Sequence, residues 1–177
     1  MQAMKAVCAV AALAGLMAPA AMFGQAATAN ALAAEVQARY AAVKTNIIKS
    51  ADNMPAENYS YKPTPDIRTF ARVVNHVTEA QLHGCGALNG GAAAKEAPAE
   101  TADKATIVEA LKASFAECDK AYAALNDANM TEMVQAGQAK RSRLGIAWGN
   151  VAHDNEQYAT LALYMRLKGL TPPSSEK

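Results

Sequence analysis

The sequence predicts an all-α protein, a four-helix bundle with up-down-down-up topology. Three observations predict it. Apolar residues recur at helical spacing through four segments of about 20 to 27 residues. The connection between the second and third segments, Asn89 to Ala102, is longer than an antiparallel hairpin needs and suits a crossover that returns to the starting end. No stretch reads as a convincing strand, and there is no internal repeat. At 177 residues the chain is expected to form one domain.

The first helix is expected from about Asn30 to Asp52, alanine-rich, with Leu32, Val36, Tyr40, Val43, Ile47 and Ile48 at helical spacing. A loop with Pro55, Pro63 and Pro65 follows, and Tyr59, Tyr61 and Pro63 are expected to cover one end of the core. The second helix starts at Thr64 or Thr69. Thr64 before Pro65 is a good N-cap arrangement, and Thr69 before Phe70 would also serve. It continues through Val73, Val74, Val77 and Leu82 to about Leu88. The third helix runs from about Asp103 to Asn126, with Ile107, Leu111, Phe115, Cys118, Tyr122 and Leu125 on one face. Residues 127–141 form a second connection, in which Met130, Met133 and Val134 are expected to pack as a short helical turn. Ser142 is the expected N-cap of the fourth helix. That helix stops at Gly169, with Lys168 in its last turn and Pro172 and Pro173 just beyond. Trp148 and Phe115 read as core.

The N-terminus reads as a secretory signal peptide over residues 1–26. Lys5 supplies a positive start, Ala6 to Ala21 is small and apolar, and cleavage is expected after Ala26 or Ala29. The bundle would then occupy residues 30–173. Pro19 and Gln25 break the apolar run, and no other segment is long and apolar enough to span a bilayer, so no stable membrane span is expected after cleavage. A periplasmic or secreted location follows. Cleavage removes Lys5 and leaves sixteen bases against sixteen acids. A net charge near zero argues against nucleic acid or an anionic membrane as partner. It also removes Cys8 and leaves Cys85 and Cys118, an even count that in an exported chain suggests one disulfide. If the second and third helices run parallel, the two cysteines lie at similar heights and can reach one another. Two buried free thiols are the alternative.

His76 lies midway along the second helix and His153 about ten residues into the fourth. If these helices run antiparallel, two imidazoles converge at middling height, a start for a divalent transition-metal site. A third donor is harder to find. Gln157 lies one turn after His153 on the same face, but its amide oxygen is a neutral, weak ligand. Glu156 and Glu79 each follow a histidine by three residues and carry charge, but point to another flank. His83 is about 10 Å further along the His76 stripe, too far to share the ion. The repeated His-x-x-Glu order differs from the Glu-x-x-His order of di-iron carboxylate bundles. The alternative is two histidines making ordinary internal hydrogen bonds, with Asn150, Thr160 and Tyr164 completing a polar stripe. No Gly-rich phosphate loop or Gly-x-Ser-x-Gly elbow is present, and neither cysteine has a neighbour that would activate it as a nucleophile.

Four segments together carry a family resemblance: Tyr61-Lys-Pro-Thr-Pro-Asp-Ile-Arg68, Val73-Val-Asn-His76, Ala152-His-Asp-Asn-Glu-Gln-Tyr158, and Tyr164-Met-Arg-Leu-Lys-Gly-Leu-Thr-Pro-Pro173. On these the chain resembles the DinB-like (DinB/YfiT) superfamily of metalloenzymes, in particular its small exported bacterial members. The resemblance implies a divalent metal, nickel or zinc, held by three histidines. Two of those positions match His76 and His153, and the third matches Gln157, where this chain departs from the pattern. Weaker metal affinity is the expected consequence, with Glu156, water or an outside ligand completing the site. The resemblance also implies metal-assisted activation of a thiol or water, as in an S-transferase or hydrolase acting on a small molecule. The competing expectation is a non-catalytic binding or structural bundle with a metal-free site, serving a small ligand or a homodimer.

Overall fold

The computed structural model describes residues 30–91 and 96–176. The signal-peptide segment lies outside the described residues. Helix α1 spans Ala31–Asn53, α2 Phe70–Leu88, α3 Lys104–Ala123 and α4 Arg143–Leu167, with a two-stranded hairpin, β1 Met133–Ala136 and β2 Ala139–Ser142, before α4. Two single turns of 3₁₀-helix, Ala56–Asn58 and Pro173–Ser175, complete the elements. None of the described helices is long and apolar enough to cross a membrane.

Local chemistry sets the ends. Thr69, not Thr64, caps α2, its hydroxyl accepting from Arg72 N at 3.0 Å. Pro65 instead sits in an irregular loop whose carbonyl takes the Lys62 ammonium at 2.9 Å. Asp103 caps α3 through Thr106 N, and Ser142 caps α4 through Gly145 N. At the far end of α4, Leu170 N bonds Met165 O and Gly169 N bonds Arg166 O, with Gly169 at φ 74°. That is a Schellman closure, and it needs the left-handed residue that glycine supplies.

Long-range bonds establish the helix directions. Thr69 at the start of α2 lies by Glu100, ahead of α3, while Asn89 just past the end of α2 donates to Glu117 O late in α3, so α2 and α3 run parallel. Gln37 early in α1 reaches Tyr122 O and Leu125 O, so α1 opposes α3. Arg143 at the start of α4 donates to Leu88 O at the end of α2, and Tyr164 near the end of α4 donates to Arg68 O, so α4 opposes α2. The order is up-down-down-up, as the crossover length implied. Parallel α2 and α3 bring Cys85 and Cys118 together as a disulfide with Cα atoms 5.0 Å apart.

The core runs the length of the bundle through Ile47, Phe70, Leu111, Phe115 and Leu161, all fully buried. Tyr40 stacks on Tyr122 with centroids 3.8 Å apart. At one end Tyr59 packs edge-on against Phe70, and Tyr61 against Tyr164, the cover expected of that loop. Three expectations are corrected. Residues 133–142 form a hairpin, not a helical turn, because Gly137 at φ 60° closes a two-residue connection between the strands paired from Met133–Ser142 to Ala136–Ala139. Met130 is buried, but Met133 on the hairpin is 59% exposed. Trp148 and Leu32, read as core-facing, are 52% and 59% exposed, on faces of α4 and α1 that the other described helices leave uncovered.

Candidate metal centre

α2 buries Val73, Val74 and Val77 against its neighbours and leaves His76 half-buried at the seam with α4. α4 buries Val151 and Tyr158 and brings His153 to the same seam. The two Nε2 atoms lie 3.1 Å apart, with the rings nearly perpendicular at 72°. Each ring turns its other nitrogen toward a carboxylate: His153 Nδ1 is 3.6 Å from Asp154 Oδ1, and His76 Nδ1 is 3.8 Å from Glu79 Oε2.

Those Nδ1 separations exceed hydrogen-bond length, yet they favour a proton on Nδ1 of both rings. Two Nε2 lone pairs would then face one another, an arrangement that a cation or a shared proton relieves. Two nitrogens bound at about 2.0–2.1 Å to one ion, at about 95–110°, stand about 3.0–3.4 Å apart, and the observed 3.1 Å falls within that range. The imidazole pair therefore fits two adjacent positions of a divalent metal.

Carboxylates behind the rings are themselves held. Arg72 grips Glu79 with both guanidinium nitrogens, at 3.1 and 3.0 Å. Asp154 is fully buried, and Gln81, equally buried, donates Nε2 to its Oδ2 at 2.5 Å. Asp154 Oδ1 and His153 Nδ1 have no hydrogen-bond partner of their own and face each other. Burial raises the pKa of Asp154, while His153 and Gln81 pull it the other way. Burial lowers that of His76, and the cations Arg68 and Arg72 and the facing His153 add to the effect, with Glu79 opposing. The His76 shift favours a neutral ring at that position, the state that binds metal.

The third donor remains the open position. Gln157 is half-exposed and lines a cleft of about 550 Å³ with Arg68, Thr160 and Tyr164; it hydrogen-bonds neither histidine. Glu156 is exposed on the solvent side of α4. His83 is exposed near the hairpin, where a Cβ on Gly137 would stand 3.7 Å from its Nε2. Among the described residues, no three His, Cys, Asp or Glu side chains gather into a metal-holding group.

Gln81 and Asp154 were not singled out from the sequence, although a signal existed. Asp154 sits three after Val151 and four before Tyr158, and Gln81 four after Val77 and four before Cys85, so both are polar residues at core-facing positions. A buried polar residue requires a partner, and these two are each other's.

Comparison with known proteins agrees with the fold. A sequence family described as the DinB superfamily matches residues 39–161. The crystal structure of a DinB-like protein from Bacillus cereus superposes with a TM-score of 0.63 at 20% identity, covering 78% of this chain and 93% of that one. A DinB-like protein from Bacillus subtilis gives 0.64 at 13% identity, covering 77% and 93%. Among curated proteins, no match was found. With the family match spanning well over half of its residues, this chain belongs to the DinB superfamily.

Proposed function

We propose that the chain is an exported protein that binds a divalent metal, nickel or zinc, between α2 and α4. His76 and His153 would bind it through Nε2, with the Gln157 carboxamide, one turn after His153 on α4, as the third donor. The observation that carries this reading is the 3.1 Å approach of the two Nε2 atoms, with a carboxylate behind each ring. Metal association is general in the superfamily. Export is supported by the Cys85–Cys118 disulfide together with the apolar N-terminal segment.

With three protein donors, all of them neutral, a bound cation would keep open positions and supply Lewis acidity to a coordinated water or thiol. The chain's own contribution is positional. Asp154, fixed by Gln81, keeps the His153 proton on Nδ1, and Glu79, fixed by Arg72, does the same for His76. Arg68 and Gln157 line the adjoining cleft, where a small substrate would lie.

A second reading is favoured by one observation: among the described residues no third imidazole or carboxylate joins the pair. In it the imidazoles share a proton, and the bundle is a metal-free binding module. Metal analysis of purified wild-type and His153→Ala protein separates the two. Bound metal and a thermal shift on adding Ni²⁺ or Zn²⁺, both lost in the variant, support the first. Wild-type protein with no bound metal and no shift removes it. Gln157→His should tighten binding where position 157 points at the ion.

A further inference from the structure

The cleft of about 550 Å³ beside the histidine pair is lined by opposite charges and an apolar wall. Asp66 and Arg68 come from the loop that leads into α2, and Ile67, Val73 and Leu163 supply the apolar surface. Val73 is buried, while Ile67 and Leu163 are 41% and 52% exposed. Tyr164 pins the loop by donating its hydroxyl to Arg68 O at 2.9 Å. The neighbouring cations are each engaged. Arg72 grips Glu79, the Lys62 ammonium donates to Pro65 O, and that of Lys168 lies 4.8 Å from the centre of the Tyr61 ring. Among the described residues, neither Asp66 nor Arg68 forms an ion pair, with each other or with any other side chain.

Burial lowers the pKa of His76 and the Arg68 charge lowers it further; burial and Tyr61 raise that of Tyr164, and Arg68 opposes them. The guanidinium is thus felt on both α2 and α4, across the seam where the cleft opens. We propose that this cleft binds a free apolar α-amino acid as its zwitterion, with the carboxylate on Arg68, the ammonium on Asp66 and the side chain against Ile67, Val73 and Leu163. A guanidinium takes a carboxylate through two parallel hydrogen bonds, and a side chain that covers Ile67 and Leu163 removes apolar surface from water. Simpler ligands leave part of the lining unanswered. A fatty acid gives Asp66 no partner, an amine gives Arg68 none, and a peptide carries its two charges at opposite ends. The proposal rests on this cleft being the substrate site of the proposed function. The ligand contacts named here do not include the histidine pair, so they can be measured with metal removed.

The test is an amide NMR titration of the whole mature protein in excess chelator, at fixed pH and ionic strength, with leucine, leucinamide, N-acetyl-leucine and glycine. Leucine should shift the amides of residues 66–73 and 157–164 saturably, with a dissociation constant on the order of a millimolar. Leucinamide, which lacks the carboxylate, N-acetyl-leucine, which lacks the ammonium, and glycine, which lacks the apolar part, should each bind about fivefold more weakly. Arg68→Gln should weaken leucine to the level of leucinamide and leave leucinamide unchanged. Asp66→Asn should weaken leucine to the level of N-acetyl-leucine and not weaken N-acetyl-leucine. Leucine that binds no tighter than leucinamide and N-acetyl-leucine, or variants that weaken all the ligands alike, would overturn the proposal. The wild-type comparison decides even where a variant fails to fold. A failure here leaves the metal reading standing, because that reading is tested by bound metal and by the thermal shift with Ni²⁺ or Zn²⁺.

Discussion

Gln81 joins the disulfide to the histidine pair. Its Nε2 donates to Asp154 Oδ2 at 2.5 Å, and its Oε1 lies 2.6 Å from Cys118 Sγ. In the oxidised protein that sulfur carries no proton, so the contact is not a hydrogen bond and Oε1 is left without a donor. The amide is thus satisfied on one side only, by the residue that stands behind His153. Replacing Gln81 by Leu leaves a fully buried carboxylate with no donor, and should destabilise the protein by about 2–3 kcal/mol. Adding Asp154→Asn to that variant removes the charge and should recover part of the loss. Urea unfolding of the two single variants and the double variant measures the coupling.

Reducing the disulfide acts on the same group from the other side. The bond closes a loop with a sequence separation of 33 residues, and its loss, as in Cys85→Ala/Cys118→Ala, should cost about 3–4 kcal/mol through the unfolded chain. Chemical reduction keeps both sulfurs and gives each a proton. Cys118 then becomes a donor to Gln81 Oε1, and Cys85, 3.7 Å from both Gln81 Oε1 and Asn150 Oδ1, can donate weakly to either. The reduced wild type should therefore be more stable than the double alanine variant, a difference that denaturant melts with and without a phosphine reductant would show.

Much of this was legible in the sequence, for reasons that differ by element. The cap at Ser142 and the stop at Gly169 are local chemistry, so residue type and position suffice. The parallel α2–α3 pair followed from linker length, and with it the disulfide. The hairpin was not legible because its strands are four residues each and mostly exposed, so no buried face imposes a period-two pattern. His76 and His153 could be placed on facing helices by counting turns. Their separation, and the carboxylate behind each ring, depend on helix rotation, which a periodicity argument fixes only to within a residue or so. Gln81 and Asp154 lie off the stripe that His153 shares with Asn150, Gln157 and Thr160, so only the burial of their own faces marks them.

Trp148 and Phe115 make a direct test of which aromatic residues hold the bundle. Both looked like core, but Phe115 is fully buried while Trp148 is 52% exposed. Phe115→Ala should cost about 3–5 kcal/mol. Trp148→Ala should stay within about 0.5 kcal/mol of wild type, as expected of an exposed position away from caps and networks. Thermal or denaturant melts followed by circular dichroism compare the two without relying on the deleted tryptophan as the probe.

The buried tyrosines set how the protein responds to alkali. Burial raises the phenol pKa of Tyr40, Tyr59 and Tyr122 well above the usual value near 10, and Asp119, hydrogen-bonded to Tyr40, raises that residue further. The folded state thus keeps three protons that the unfolded chain releases above about pH 10. By linkage, stability is unaffected by these groups below that pH and falls as pH rises beyond it. Absorbance near 295 nm should show these three phenols ionising only as helicity is lost, in one cooperative step. Tyr122→Phe removes one such group, along with its hydroxyl bond to Ala147 O. It should lower stability at neutral pH by about 1 kcal/mol yet flatten the alkaline decline. A variant whose decline is as steep as that of the wild type would show that the Tyr122 proton is not what alkali removes.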